Sequence, residues 1–336
     1  MVEIICPPNR TPERDGIYES GGFRYQADAS WAKWPENLTG VHALGGCVDW
    51  DGSLIVATED REHPLTVFDT EGKYQRAFGI GLFQKAHSAN FTPVHTLLVA
   101  DAGMKAHVIR EIDLEGRWIR DFGWLGRHGD SGYDPGYLEE LRREGRIPKE
   151  ESWNKRPDFN ARLDSIRRCG APFCRPCSMK VGRSGYYFAA DGYGNAAVHK
   201  FRPDGTLDRS FGEPGSGPGR FRLVHDLCLD ARDRIWVADR ENACVHVFDQ
   251  DGKLLAFCGS GLFRVGSVCA DEKWVYVGEL DGGITIINLD FQVVARFGSR
   301  GCALHAHGLT VDENGDLILF TNKYSKTNNI LRLFRS

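Results

Sequence analysis

The stretch RLVHDLCLDARDRIWVADRENACVHVFDQDGKLLAFCG (residues 222–259) decides the fold of this 336-residue chain. Short apolar and β-branched runs such as IWVAD alternate in it with Asp- and Gly-rich turns such as FDQDG. That alternation is typical of antiparallel strands joined by tight turns. A unit of this length has room for four short strands, which make one blade of a β-propeller.

Related units recur along the whole chain. Each ends in a short motif similar to AFCG, such as RAFG at 76–79 and RDFG at 120–123, and most have an Asp/Gly turn before it. The period is roughly 36 to 47 residues, which fits four strands per unit. Six units predict an all-β, six-bladed β-propeller. The predicted blades cover residues 42–79, 84–123, 171–212, 218–259, 262–298 and 302–335.

Two segments do not fit the repeat. The chain divides into an N-terminal segment (1–41) and the propeller (42–335), whose sixth blade ends after its third strand. We expect GGFRYQAD (21–28) of the N-terminal segment to add the missing outer strand of that blade. Pairing the two ends of the chain would remove the last unpaired sheet edge. Residues 124–168 separate blades 2 and 3 with a charged, partly helical pattern. This insertion is either a lid over the ligand or a surface excursion or oligomer contact.

Charge and hydropathy narrow the range of partners. The net charge is −4 with acids and bases mixed, so we expect no nucleic-acid partner. The sequence contains no run of 18 apolar residues, so we expect no membrane span. Its N-terminus lacks the pattern of a secretory signal. We therefore expect a cytoplasmic protein with a small-molecule substrate. The sequence does not indicate an oligomeric state.

The ten cysteines are expected to be thiols, because disulfides are rare in the cytoplasm. Cys169, Cys174 and Cys177 form a C-x4-C-x2-C motif that has the spacing of a metal site. No fourth ligand lies nearby in the sequence, so the favoured interpretation is thiols near the start of a blade.

Three histidines occupy the same place in every second unit. His87, His225 and His307 each precede by 14 residues the last position of a strand motif, namely LLVAD, IWVAD and LILFT. In a closed ring they would open the innermost strands of blades 2, 4 and 6 and point at the axis. Three neutral imidazoles with an open face are typical of a catalytic divalent metal site. The same count gives Leu44, Cys177 and Val265 in the other blades.

Zinc is the preferred metal, although three nitrogen ligands also suit Fe, Co, Ni or Mn. The competing interpretation is that the histidines are polar groups that line the channel and bind water. The remaining eight histidines show no such alternation among the blades.

Loops predicted on the same face add candidate catalytic residues. Tyr193 follows the second strand of blade 3, and a phenol beside a divalent cation can serve as a base. Arg240 in blade 4 and Arg61 in blade 1 could hold a substrate carboxylate with paired hydrogen bonds. The alternatives are a packed loop aromatic for Tyr193 and a surface ion pair for Arg240.

These residues carry a resemblance over nearly all of 22–335, strongest over 170–250. The chain resembles the NHL-repeat propellers of the peptidyl-α-hydroxyglycine α-amidating lyase type, which cleave an α-hydroxyglycine N–C bond to an amide and glyoxylate. The resemblance implies Tyr193, in DGYGN, as catalytic tyrosine and Arg240, in ADREN, as substrate-binding arginine. It implies zinc on the three histidines found in KAHS, LVHD and HAHG.

The chain also departs from that family. The proline before each zinc histidine is absent. A second catalytic arginine is expected in blade 1, but Asp60 stands at its position when the EHP residues are matched, and Arg61 is displaced by one. Gly308 follows the third histidine where the family has an acid near a structural calcium, so calcium is doubtful here.

The sequence thus predicts a metal-dependent lyase, with zinc preferred, acting on a small substrate that carries hydroxyl or carboxylate groups. Two alternatives remain open at this point. One is a hydrolase or hydratase that uses the same metal. The other is a non-catalytic NHL propeller that binds a protein or ligand on one face, because a propeller fold alone does not specify function.

Overall fold

The computed structural model describes residues 1–145, 156–321 and 329–336, and these form a six-bladed propeller. The strands of each blade follow one another in the order of the chain, and the first strands of neighbouring blades contact one another around the axis. The ring closes between blades 6 and 1. The prediction of an all-β, six-bladed propeller is therefore confirmed.

The N-terminal segment runs along the outside of four blades, the last contact being a bridge from Lys33 to Lys73 of blade 1. It contains β1 (Val2–Glu3), β2 (Ile17–Ser20), β3 (Phe23–Asp28) and a 3-10 turn (Glu36–Leu38). β1 pairs in parallel with the outer strand of blade 4, and Thr11 bridges to the outer strand of blade 5. β3 pairs with the last strand of the chain and so forms the fourth strand of blade 6, with β2 as a fifth.

Blades 1 to 3 are regular four-stranded antiparallel sheets. Blade 1 consists of β4 (Ala43–Val48), β5 (Leu54–Thr58), β6 (Leu65–Phe68) and β7 (Tyr74–Phe78). Blade 2 consists of β8 (Ala86–Phe91), β9 (Leu97–Asp101), β10 (Val108–Ile112) and β11 (Trp118–Gly123). Blade 3 consists of β12 (Pro176–Val181), β13 (Tyr187–Asp191), β14 (Ala197–Phe201) and β15 (Leu207–Phe211).

Blades 4 to 6 repeat this plan after a short two-stranded sheet, β16 (Glu213–Pro214) and β17 (Arg220–Phe221). Blade 4 consists of β18 (Val224–Leu229), β19 (Ile235–Asp239), β20 (Cys244–Phe248) and β21 (Leu254–Cys258). Blade 5 consists of β22 (Val265–Ala270), β23 (Trp274–Glu279), β24 (Ile284–Asn288) and β25 (Val293–Phe297). Blade 6 contains β26 (Gly308–Val311), β27 (Leu317–Phe320) and β28 (Ile330–Arg335) besides β3.

The hydrophobic core is divided among the faces between neighbouring blades. Blades 3 and 4, for example, meet through Phe188, Val198, Leu227 and Val237, all fully buried. Comparable clusters join each of the other five pairs of neighbours. Because both faces of a blade are buried near the axis, its inner strands are buried on both sides rather than alternating, as in β5 and β9.

The first strand of blades 1 to 5 carries a β-bulge at its second residue. The extra residues are Leu44, His87, Cys177, His225 and Gly266. A bulge leaves one residue without a partner and re-aims its side chain, which is why bulges are frequent beside functional sites. In blade 6 the corresponding residue, His307, donates its N–H to the carbonyl of Phe320 at 3.0 Å.

The interval of 14 residues predicts Val265 as the blade 5 equivalent of the histidines, but the bulge residue there is Gly266. The turn between the first two strands of blade 5 is one residue shorter than in blade 4, because Ala270 pairs with Val275 while Leu229 pairs with Ile235. A fixed count of 14 therefore slips by one position.

The insertion between blades 2 and 3 contains α1 (Tyr137–Arg143) and α2 (Arg156–Asp164). Its residues 146–155 lie outside the described part of the chain. No helix of the described residues is long and apolar enough to cross a membrane.

Candidate metal centre

Three buried imidazoles meet on the propeller axis. His87, His225 and His307 each offer one ring nitrogen, and these three atoms lie within 4.8 Å of one another. The ring centroids are 4.6 to 5.0 Å apart. The structure thus brings together the three histidines that the sequence singled out as metal ligands.

Each imidazole is oriented by the backbone of the following odd-numbered blade. Nδ1 of His87 lies 2.8 Å from the carbonyl oxygen of Cys177, and Nδ1 of His307 lies 2.7 Å from that of Leu44. Nδ1 of His225 lies 2.5 Å from the carbonyl oxygen of Gly266. A carbonyl only accepts, so each Nδ1 carries the hydrogen and each Nε2 keeps its lone pair. This arrangement of outer hydrogen bonds is typical of histidines that bind metals.

Burial keeps these imidazoles neutral. Burial lowers the pKa of His87 and of His225 well below the usual range, and nearby cationic groups, including Arg240, lower it further. The pKa of His307 is lowered to about 3, again mainly by burial. A neutral imidazole is the form that binds a metal. The donor set of three neutral Nε2 atoms fits a divalent cation such as Zn²⁺ and would leave further coordination positions open.

The hydroxyl of Tyr193 lies beside the imidazoles. Its oxygen is 3.1 Å from Nε2 of His87 and 3.1 Å from Nε2 of His225. Nη1 of Arg240 donates to the same oxygen at 3.2 Å, and Nε of Arg240 donates to Glu241 at 2.9 Å. The phenol oxygen therefore accepts a hydrogen bond from a buried arginine and lies against two imidazole nitrogens. Arg240 and Glu241 are thus an ion pair, but a buried one at the site rather than on the surface.

Close backbone packing presents Tyr193 to the axis. A Cβ on Gly192 would lie 2.3 Å from the carbonyl oxygen of Val224, and one on Gly194 would lie 2.5 Å from Sγ of Cys174. Only glycine fits at either position. Asn195 fixes the loop, since it exchanges hydrogen bonds with both backbone groups of Gly170. The DGYGN motif is therefore a rigid support for the phenol.

The insertion packs next to the same residues. The ring of Phe159 in α2 lies 6.4 Å from that of Tyr193 and 5.4 Å from Cζ of Arg240. Asp164, at the end of α2, pairs with Arg222 of blade 4 at 2.8 Å. The insertion therefore borders the site rather than projecting away from it.

Two groups of residues were missed by the sequence reasoning. The first is the acid that ends the second strand of several blades. Asp239 accepts the N–H of Leu223 at 2.8 Å, two residues before His225, and Asp101 accepts that of Lys85 at 2.9 Å, two residues before His87. Recurrence of the VAD motif was visible in the sequence and could have suggested this positioning role.

The second is Arg175, whose Cζ lies 5.2 Å from the centroid of the Tyr193 ring. It directly precedes β12 rather than lying in a loop that follows a second strand, so the pattern that indicates Tyr193 and Arg240 does not indicate Arg175.

The structure does not bring Arg61 to this group. Arg61 is exposed, and its Nε donates to the carbonyl of Gln84 at 3.3 Å. Asp60 accepts from the N–H of Glu62 and lies 3.3 Å from Nδ1 of His63. Gly308 has no side chain to offer calcium. A Cβ at this position would lie 2.6 Å from the carbonyl oxygen of Leu44, so an acidic residue would not fit there without a backbone shift.

Asp239, Cys244 and His246 form a second buried group with metal-binding side chains. Gly219 donates its N–H to Nδ1 of His246 at 3.3 Å, so Nε2 carries the hydrogen and lies 3.3 Å from Sγ of Cys244. With its lone pair engaged, His246 is a structural residue. All ten cysteines are free thiols, and Cys169, Cys174 and Cys177 form no metal-binding group among the described residues.

Comparison with known proteins extends the sequence evidence. The NHL repeat model matches residues 221–248, which cover the first three strands of blade 4. The human NHL repeat-containing protein 3 is 25% identical over 236 residues, covering 68% of this chain. The chain spans only 57% of that relative's length. A probable peptidyl-α-hydroxyglycine α-amidating lyase of Caenorhabditis elegans is 36% identical over 81 residues, 23% of each chain.

Solved structures support the same fold. A gluconolactonase from Xanthomonas campestris superimposes with a TM-score of 0.57 at 14% identity, covering 100% of this chain and 97% of that one. At this identity the likeness concerns the fold alone. The chain is therefore a six-bladed β-propeller that contains an NHL repeat and resembles, over part of its length, the peptidyl-α-hydroxyglycine α-amidating lyases.

Proposed function

We propose that this protein is a metal-dependent lyase, with zinc as the preferred metal, that acts on a small substrate carrying a hydroxyl and a carboxylate group. The observation that carries the proposal is the convergence of three neutral Nε2 atoms with the hydroxyl of Tyr193 3.1 Å from two of them. A propeller that serves only as a scaffold has no need of imidazoles at three equivalent axial positions.

His87, His225 and His307 would hold the metal, which when bound supplies a Lewis acid for the substrate hydroxyl. Tyr193, whose oxygen accepts a hydrogen bond from Arg240, would serve as the general base that takes the hydroxyl proton. With an N-acyl-α-hydroxyglycine, the C–N bond then breaks and the hydroxyl oxygen becomes the carbonyl oxygen of glyoxylate. The proton passes from Tyr193 to the leaving nitrogen, which gives the amide.

The insertion would exclude water from this reaction. Phe159 lies against both Tyr193 and Arg240, so a substrate beside the phenol would be covered by an apolar ring. Exclusion of water strengthens the electrostatic interactions within a site. The insertion would thus act as a cover for the ligand.

Metal analysis tests the first part of the proposal. Untagged wild-type protein should contain about one divalent ion per chain, since one set of three ligands is present. The triple variant His87→Ala, His225→Ala, His307→Ala should contain none. The control His63→Ala, which removes a partly exposed histidine, should match the wild type. A metal-free wild type after reconstitution with zinc would contradict the proposal and favour a non-catalytic binding propeller.

Glyoxylate release from an N-acyl-α-hydroxyglycine tests the reaction. Tyr193→Phe should keep the metal and lower kcat by roughly 100- to 10,000-fold, the usual contribution of a general base. A metal-loaded wild type that cleaves neither this compound nor related α-hydroxy acids would exclude the lyase and favour a hydrolase or hydratase.

A further inference from the structure

Arg175, which has no role in the function proposed above, places a second guanidinium at the ring of Tyr193. Cζ of Arg175 is 5.2 Å from the ring centroid, and Cζ of Arg240 is 5.4 Å from it. Arg175 stands two residues before Cys177, whose carbonyl orients His87. Arg175 therefore lies directly before β12, the strand whose Cys177 carbonyl orients His87.

The backbone and side chain of Arg175 are both held in place. Its Nε donates to the carbonyl of Ala102 in blade 2, and its Nη1 donates to the hydroxyl of Tyr133 in the insertion, both at 3.2 Å. Its φ is 66°, an uncommon left-handed conformation for a residue other than glycine. Such a conformation persists only where surrounding contacts enforce it, and it is frequent at ligand sites.

Arg175 differs from the neighbouring cations in its charge balance. Arg240 pairs with Glu241 at 2.9 Å, Lys85 with Glu59 at 2.5 Å, and Arg264 with both Glu241 and Asp281. Arg175 has only the neutral oxygens of Ala102 and Tyr133 as partners and forms no ion pair within the described residues. It is half-buried, so its charge is only partly hydrated. Its Nη2 makes no hydrogen bond to any described residue and can donate to a ligand.

We propose that Arg175 is the residue that binds the carboxylate group of the substrate. This inference rests on the function proposed above. The carboxylate would lie at Arg175, and the hydroxyl would lie at Tyr193 and the imidazoles. Arg240, which pairs with Glu241, then serves the oxygen of Tyr193 rather than the carboxylate. Arg175 is in this account a specificity-determining residue, which selects anionic substrates.

Binding of lactate and of its uncharged analogue lactamide to the zinc-loaded protein tests the inference. The two probes differ in charge but hardly in shape. Wild type should bind lactate more tightly, and Arg175→Gln should weaken lactate binding by roughly 10- to 100-fold, as expected for a lost charge-assisted hydrogen bond, while lactamide binding changes little. Arg175→Lys should restore part of the preference. Arg127→Gln, at an arginine stacked on exposed Trp124, is the matched control.

Zinc content, measured on the same samples, separates this inference from the proposed function. Absence of zinc in the wild type would count against the metal site itself. If zinc is present, a wild type that does not prefer lactate over lactamide would overturn the role of Arg175. So would an Arg175→Gln variant that retains the preference while Arg240→Gln loses it. If a cleaved α-hydroxy carboxylate is found, Arg175→Gln should raise KM far more than it lowers kcat, which a purely structural residue would not do.

Discussion

The even and odd blades place the same backbone feature at the axis but use it differently. In blades 2 and 4 the bulge residue is a histidine that points its Nε2 inward, while in blades 1, 3 and 5 it is Leu44, Cys177 or Gly266. Blade 6 follows the even pattern with His307. The odd blades contribute a carbonyl to the Nδ1 of the preceding histidine. The ring therefore takes its three imidazoles from one set of blades and the carbonyls that orient them from the other.

This division has a physical reason. Three protein ligands leave a coordination position of a bound metal open for a substrate, whereas further imidazoles could occupy it. A carbonyl belongs to every residue, so the odd blades can supply it whatever side chain they carry. Side-chain identity should matter in the even blades, and backbone position should matter in the odd ones.

The largest effect is expected from His225→Ala in an even blade. Loss of one of the three proposed ligands should remove stoichiometric zinc and abolish the proposed lyase activity, since a metal held by two nitrogens is bound far more weakly. Elemental analysis and circular dichroism together would check this. Zinc retained at one ion per chain in a folded variant would break the distinction between even and odd blades.

A smaller effect is expected from Gly266→Ala in an odd blade. The added Cβ would lie 1.9 Å from the carbonyl oxygen of Ala306, so the backbone must shift. We expect a loss of about 1–3 kcal/mol in the free energy of unfolding, typical of overpacking, measured by urea denaturation. Displacing the carbonyl that orients His225 should also weaken zinc binding by roughly 10- to 100-fold.

The control for that variant is Gly136→Ala, where the nearest atom to the new Cβ is a carboxylate oxygen of Asp134 at 3.2 Å, which can move. It should leave stability and zinc affinity close to wild type. Unchanged zinc affinity in a destabilised Gly266→Ala variant would mean that the hydrogen bond from His225 to the carbonyl of residue 266 does not affect metal binding.

The smallest effect is expected from Cys177→Ala, also in an odd blade. Its thiol is buried, but His87 uses the carbonyl of this residue, which alanine retains. Zinc content should remain at one ion per chain, and stability should fall by about 1 kcal/mol for the lost sulfur atom. A loss of zinc comparable to that in His225→Ala would show that the odd side chains matter as well.

Much of the fold and part of the site could be predicted from the sequence. The turns and apolar runs predicted six blades, and the interval of 14 residues found all three histidines because the turn between the first two strands has the same length in blades 2 and 4. The same count failed at Val265, where a turn shorter by one residue moves the bulge to Gly266. Local spacing is reliable only while turn lengths are constant.

The arginines could not be assigned in this way. Arg61 and Arg240 follow corresponding strands in their blades. Arg61 is exposed and donates to the carbonyl of Gln84, whereas Arg240 is buried and donates to the hydroxyl of Tyr193. Arg175 precedes the first strand of its blade, and because Pro176 pairs with Asp191 it lies beside the loop that carries Tyr193. The direction of a long, flexible side chain depends on neighbours that belong to other blades and to the insertion.

The ring of six blades and the alternation of the histidines follow from the sequence, because strand periodicity and repeat spacing are local properties. The folded ring was needed to show which nitrogen of each imidazole faces the axis, that Tyr193 joins them, and that Arg175 rather than Arg61 accompanies Arg240. Those features depend on contacts between blades far apart in the chain, such as Leu44 with His307, and no local pattern records them.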